Sequence, residues 1–208
     1  MTTTANELVI KGQAAKAAAR KMAFLSSEIK NRALLNIAEA LTSHETSILT
    51  ANKKDYGEGM ASGMREALLD RLLLNRSRLQ GMANDIKAVV ALPDPVGEMI
   101  DMRTLPNGLI IGRKRVPLGV IGTIYESRPN VTVDISVLCL KSGNAVILRG
   151  GKEATNSNDA LAHTVQVAAY KAGVPEGAVQ FIESTDRALV GQMLKMKDRA
   201  DRELCVSP

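Results

Sequence analysis

The chain has 208 residues, of which 45% are hydrophobic and 24% charged, the proportions of an ordinary globular protein. No stretch approaches about 18 consecutive apolar residues, so no membrane span is expected, and the opening Met1-Thr2-Thr3-Thr4 lacks the basic and apolar regions of a signal peptide. The net charge is +5, but aromatics are only 2% and Lys and Arg are scattered, which disfavours a nucleic-acid surface and favours a protein that handles anionic small molecules.

Residues 6–24 are rich in Ala, Lys and Arg, strong helix formers. A second helix is expected over 27–42, with Ile29, Leu34, Ile37, Ala38 and Leu41 at helical spacing. Thr42-Ser43-His44-Glu45 has the capping-box pattern, which predicts a new helix from there to about Tyr56. Gly57, Gly59 and Gly63 then read as a loop; no strand precedes them, so they do not make a dinucleotide glycine motif. Helices are expected again over 64–71 and 75–91, the second stopped by Pro93-Asp94-Pro95. Two apolar runs, 96–105 and 109–116, flank Pro106-Asn107-Gly108 and predict a β-hairpin.

The densest signal follows. Val116 to Tyr125 is apolar and β-branched without alternation, as in a strand buried on both faces. Glu126-Ser127-Arg128-Pro129-Asn130 comes next, then Val131, Ile135 and Leu138 at helical spacing, a stop at Gly143-Asn144, and a short strand over 145–148. Strand, helix and strand in about 35 residues make a parallel βαβ unit. Ligands of such sheets bind beyond the carboxyl ends of the strands. Those ends carry 126–130 and Arg149-Gly150-Gly151-Lys152-Glu153, both opening helices whose free N–H groups favour an anion. Residues 155–171 are expected to form a helix ended by Gly173-Val174-Pro175, and 178–182 a third strand. Ser184 or Thr185 would cap a last helix running to about Met196. The expected class is α/β, with a parallel sheet between helical layers.

Pro117-Leu118-Gly119-Val120-Ile121-Gly122, Ile124-Tyr125-Glu126-Ser127-Arg128-Pro129-Asn130 and Ser142-Gly143-Asn144-Ala145-Val146-Ile147-Leu148-Arg149-Gly150-Gly151-Lys152-Glu153 together resemble the γ-glutamyl phosphate reductase family of the aldehyde dehydrogenase superfamily. The resemblance covers roughly residues 5–196 and implies an aldehyde-dehydrogenase-like fold. It suggests an N-terminal helical part over 1–95, a hairpin over 96–116 that serves as an oligomerisation arm, a partial Rossmann-like nucleotide-binding domain over 117–196 and a divergent tail over 197–208. The implied reaction is the NADPH-dependent reduction of γ-glutamyl phosphate to glutamate 5-semialdehyde, with release of phosphate, in cytoplasmic proline biosynthesis. It also implies a homo-oligomer and a possible complex with glutamate 5-kinase.

Residue by residue, the resemblance implies cofactor contacts from Arg149, Gly150, Gly151, Lys152 and Glu153. Arg149 would take a 2′-phosphate, because a guanidinium pairs with phosphate through two hydrogen bonds. Against this stand plainer readings: a solvated Arg149, and a Glu153 that complements a helix N-terminus. Asn130 would supply an oxyanion-hole amide, against an ordinary N-cap; Arg128 would hold the substrate's carboxylate or phosphate, against a structural ion pair. Cys139 lies on an apolar helix face and Cys205 in a charged tail, so neither is read as the nucleophile. The two cysteines form no disulfide framework, and His44 and His163 have no metal-ligand spacing. The charges of 197–203 argue against a buried strand there, and the tail reads as a truncation before the catalytic domain. The alternative is a non-catalytic nucleotide-binding or assembly fragment.

Overall fold

The computed structural model describes residues 4–196 and 204–206, with side chains over 7–196. Five helices come first: α1 (Thr4–Met22), α2 (Ser27–Ser43), α3 (Glu45–Ala61), α4 (Glu66–Leu72) and α5 (Arg76–Ala91). A ribbon of β1 (Met99–Thr104) and β2 (Ile110–Lys114) follows, then β3 (Val120–Ile124), α6 (Asn130–Lys141), β4 (Ala145–Arg149), α7 (Thr155–Lys171), β5 (Val179–Phe181), α8 (Ala188–Leu194) and β6 (Leu204–Val206). A 3-10 turn over Lys152–Ala154 precedes α7.

The main sheet runs β5-β4-β3-β6 and all its pairings are parallel. Every residue of β4 is buried, because successive side chains enter different cores. Ala145 and Ile147 face α1 and α8 with Leu8, Ala15, Ala19, Leu189 and Met193. Val146 and Leu148 face the larger core built by α6 and α7, behind which α2, α3 and α5 are stacked.

Several local expectations change. The strand expected from Val116 starts at Val120; Val116 and Leu118 are exposed, since Pro117 cannot donate to a ladder and Gly119 takes φ 115°. Gly119 N instead donates to the Asn144 side chain at 2.9 Å. Gly57 and Gly59 lie inside α3, which runs on to Ala61; only Gly63, at φ 72°, is a true turn glycine. In α3 the glycine penalty is outweighed by packing: a Cβ on Gly59 would meet Leu69 at 3.1 Å. The capping box at Thr42 does not form, because α2 continues through Ser43 and the Thr42 and Ser43 hydroxyls bond back to Ala38 and Glu39 carbonyls. Nor do Ser184 and Thr185 cap α8; Asp186 Oδ1 accepts from Ala188 N at 2.9 Å.

The hairpin closes at Asn107-Gly108, where Gly108 has φ 84° and Asn107 Oδ1 accepts from Leu109 N at 3.1 Å. Its register slips between Ile100 and Arg103, at Asp101 with φ 54°. Residues 197–203, where charge argues against a strand, lie outside the described residues. Beyond them Leu204–Val206 adds a parallel strand beside β3, pairing Thr123 with Cys205, which the polar flanks had concealed.

Candidate active site

Beyond the carboxyl ends of β3 and β4 the two loops are bound to each other. Glu153 Oε1 accepts from Ser127 N at 2.6 Å and from Ser127 Oγ at 3.0 Å. Ser127 is buried and adopts φ 46°, a conformation an L-residue holds only when its surroundings enforce it. The Glu153 carboxylate is therefore committed to the neighbouring loop, and no Glu153 contact with the α7 N-terminus is needed to explain it.

That N-terminus is served from elsewhere. Asp55, buried in α3, accepts from Asn156 N at 3.2 Å and Asn156 Nδ2 at 2.7 Å, and from Ser157 N at 2.7 Å and Ser157 Oγ at 2.5 Å. An aspartate about a hundred residues upstream thus does the work of a cap, and its charge suits the positive end of the helix. Asn52, one turn earlier on α3, donates to Leu72 O and Ser157 Oγ and accepts from Leu74 N. Together Asn52 and Asp55 fix the α4–α5 connection against the β4–α7 loop.

Arg149 is buried at 7% exposure, and its Nη2 donates to Thr185 O at 3.3 Å and Asp186 O at 3.2 Å. The reading of Arg149 as a solvated charge is overturned: half of its guanidinium holds the β5–α8 loop, while Nε has no hydrogen-bond partner. Lys152, by contrast, is exposed at the mouth of the same loop. Gly150 and Gly151 are glycines for a local reason: a Cβ on Gly150 would collide with the Asn158 amide, and one on Gly151 with the Glu153 carboxylate. Asn158 itself sits in a buried chain in which Tyr125 Oη and Thr132 Oγ1 lie 2.6 Å apart and Thr132 Oγ1 donates to Asn158 Oδ1 at 3.0 Å. Burial pushes the Tyr125 phenol far above its usual range, so this network stays neutral.

Asn130 is the first residue of α6, and Pro129 holds the cap position, so the N-cap account of Asn130 fails. Its Nδ2 donates to Asp134 Oδ2 one turn on, at 2.9 Å, which leaves the amide's second N–H unengaged among the described residues. Burial, with Asp85 adding like charge, raises the Asp134 carboxyl above the ordinary aspartate range; the Asn130 bond works in the other direction. Arg128 makes no ion pair among the described residues, against the structural ion-pair reading.

Asn130 and Arg128 open onto a cavity of about 340 Å³ between the β3–α6 loop and helices α4 and α5. Its other wall carries Asp70, Arg71, Arg78 and Asp85. Arg78 is occupied: Nη2 meets Asp70 Oδ1 at 2.7 Å, and Nη1 donates to the Asp70 and Leu73 carbonyls. Arg71 and Asp85 have no hydrogen-bond or ion-pair partner among the described residues. The sequence reading found Arg128 and Asn130 and missed this opposite wall. The Asp134 contact was visible as an i, i+4 pair; the approach of Arg71 and Asp85 is a product of tertiary packing with no local signature.

Cys139 is buried in α6. Among the described residues no group of His, Cys, Asp or Glu is placed to hold a metal ion, and no helix is long and apolar enough to cross a membrane.

The aldehyde dehydrogenase family profile matches residues 2–201. The chain is 59% identical over 195 residues to a γ-glutamyl phosphate reductase of Dehalococcoides mccartyi, covering 94% of this chain and 46% of that protein. It is 54% identical to one from Vibrio cholerae, at 94% and 47% coverage. The crystal structure of a γ-glutamyl phosphate reductase from Thermotoga maritima superposes with a TM-score of 0.94 at 41% identity, over 97% of this chain and 49% of that one. The corresponding Saccharomyces cerevisiae structure gives 0.81 at 33% identity, over 95% and 54%. A probable aldehyde dehydrogenase of Listeria monocytogenes shares the fold at a TM-score of 0.73 and 18% identity. The chain spans about half the length of the curated relatives it matches.

Proposed function

The chain belongs to the aldehyde dehydrogenase family, and from that premise we propose that it forms the cofactor-holding part of an NADPH-dependent reductase acting on γ-glutamyl phosphate. The observation that carries this reading is the union of two strand-end loops through Glu153 and Ser127, beside a cavity bearing Arg128 and Asn130.

The loops fit a dinucleotide. They lie where parallel sheets take nucleotides, and Lys152 stands exposed there as a cation for a phosphate. Arg149 acts chiefly by holding the β5–α8 loop, with its unpartnered Nε as the remaining donor. NADPH supplies a hydride when bound. On the substrate side, Asn130 directs a free amide N–H at a carbonyl oxygen, while Asp134 holds the amide's orientation. Arg128 attracts the acyl phosphate and stabilises the departing phosphate's charge. The reaction also needs a thiolate; Cys139, buried in α6, does not offer one. The exposed apolar residues Met99, Met102, Leu109 and Ile110 of the ribbon suit it to an assembly contact with further copies.

Two measurements test the reading. Titration of the purified chain with NADPH and NADH should show binding that favours NADPH. Oxidation of glutamate 5-semialdehyde with NADP and phosphate should show no turnover by this chain. Absence of any nucleotide binding would sink the proposal. Binding without turnover favours the cofactor-holding role, and turnover lost in Cys205→Ala would assign the nucleophile to β6.

A further inference from the structure

The cavity beside Asn130 contains more charge than the reacting end of an acyl phosphate requires. Three guanidinium groups and two carboxylates line it: Arg71, Arg78, Arg128, Asp70 and Asp85. Arg78 and Asp70 cancel each other in a direct ion pair at 2.7 Å. What remains open is two cations, Arg71 and Arg128, and one anion, Asp85. They are spread over two walls. Arg128 lies two residues before Asn130 on the β3–α6 loop, whereas Arg71 lies in the last turn of α4 and Asp85 lies on α5. Asn52 and the Arg78 bonds to Asp70 and Leu73 fix the connection between those two helices, so the Arg71 wall is a built surface.

We propose that Arg71 and Asp85 form a specificity subsite for the α-amino-acid end of the substrate, Arg71 taking the α-carboxylate and Asp85 the α-ammonium. The charges match term by term. The substrate offers one ammonium, one carboxylate and one phosphate; the cavity offers one open carboxylate and two open guanidiniums. Arg128, beside the oxyanion amide, is left for the phosphoryl end. A guanidinium meets a carboxylate through two parallel hydrogen bonds, which fixes orientation as well as charge. Placing both ends of the zwitterion on α4 and α5 makes the helical layer the part that selects the substrate. The volume of about 340 Å³ is at the small end of ligand cavities, suited to an amino acid derivative.

The inference rests on the proposed reductase reading, and its test separates the two. The full chain is titrated with L-glutamate, glutarate, γ-aminobutyrate and inorganic phosphate, followed by NMR shifts of Asn130 and Arg128 amides, with NADPH binding measured in parallel. L-Glutamate should bind more tightly than glutarate, which lacks the α-ammonium, and than γ-aminobutyrate, which lacks the α-carboxylate. Arg71→Ala should weaken L-glutamate by about tenfold or more and leave phosphate and NADPH unchanged. Asp85→Asn should weaken L-glutamate while glutarate is unaffected. Arg71 and Asp85 are both exposed, so neither change should unfold the chain. L-Glutamate binding that is undetectable, no better than glutarate, or indifferent to Arg71→Ala overturns the subsite. Loss of NADPH binding alone, with the glutamate pattern intact, overturns the cofactor reading and leaves the subsite standing.

Discussion

Ser127 and Glu153 are 26 residues apart in sequence and share two hydrogen bonds through one carboxylate oxygen, at 2.6 and 3.0 Å. Each belongs to a different strand-end loop, so this contact turns two loops into one rigid rim. Glu153→Ala should free both, at a cost of about 1–3 kcal/mol, because Ser127 at φ 46° then lacks what holds it. Glu153→Gln retains an acceptor of the same shape and should lose less. Chemical denaturation of both variants, with NADPH affinity measured alongside, checks the ordering.

Arg149 and Lys152 should separate in their effects. Arg149→Ala removes two bonds to the carbonyls of Thr185 and Asp186 and should lower the melting temperature. Lys152→Ala, at an exposed position, should leave the melting temperature unchanged and weaken NADPH more than NADH. Equal weakening of both cofactors would remove Lys152 from the 2′-phosphate.

Asp55→Ala should be among the most damaging single changes to the helical layer. It strips four donors from one buried carboxylate, and about 2–3 kcal/mol of stability should go with it. Hydrogen exchange should rise first at the amides of Asn156 and Ser157.

Lys30 is 1% exposed and its Nζ lies 2.5 Å from Asp94 Oδ2. Asp94→Ala leaves that ammonium buried without its partner and should cost about 3–5 kcal/mol. Burial alone would push the Asp94 carboxyl up, but the Lys30 and Ser27 hydrogen bonds outweigh it and hold the group below the ordinary 3.8. A depressed folded value means this contribution is present above 3.8 and lost as pH falls through the lower folded value. Acid unfolding of Asp94→Ala should therefore depend less steeply on pH than that of the parent between 3.8 and the lower folded value.

Asp134 titrates in the opposite sense. Its carboxyl is raised by burial, so the folded chain holds the proton more tightly than the unfolded one. Its contribution favours folding below 3.8 and is lost as pH rises through the elevated folded value. Asp134→Asn keeps an acceptor for Asn130 and should stabilise the chain more at pH 7 than at pH 4, as thermal melts at the two values would reveal.

The parallel sheet was legible because its signals are local. β4 is an apolar run from Ala145 to Leu148, and Gly143 at φ 75° ends α6 where a Cβ would also meet Pro117 at 2.9 Å. The helices too were legible, but not all their ends. The glycines of α3 and the hydroxyls of Thr42 and Ser43 suggest breaks that packing overrides. For the site, the residues beside the strand ends were visible as motifs. Arg71, Asp85 and Asp55 were not, because each reaches its place from a helix whose packing partner lies far along the chain.

The position of α1 has a consequence for the order of events during synthesis. Leu8, Ala15 and Ala19 pack against β4 and Ile182, and Lys11 Nζ donates to Phe181 O at 2.5 Å, 170 residues on. At about 5–20 residues per second, the ribosome needs roughly 10–35 s to deliver that partner after α1 has been made. During this interval the apolar face of α1 has no native surface to cover, while α2 and α5 can already pair. Nascent chains should therefore be most open to chaperone capture at their first helix, and loop-closure entropy makes its docking a late event.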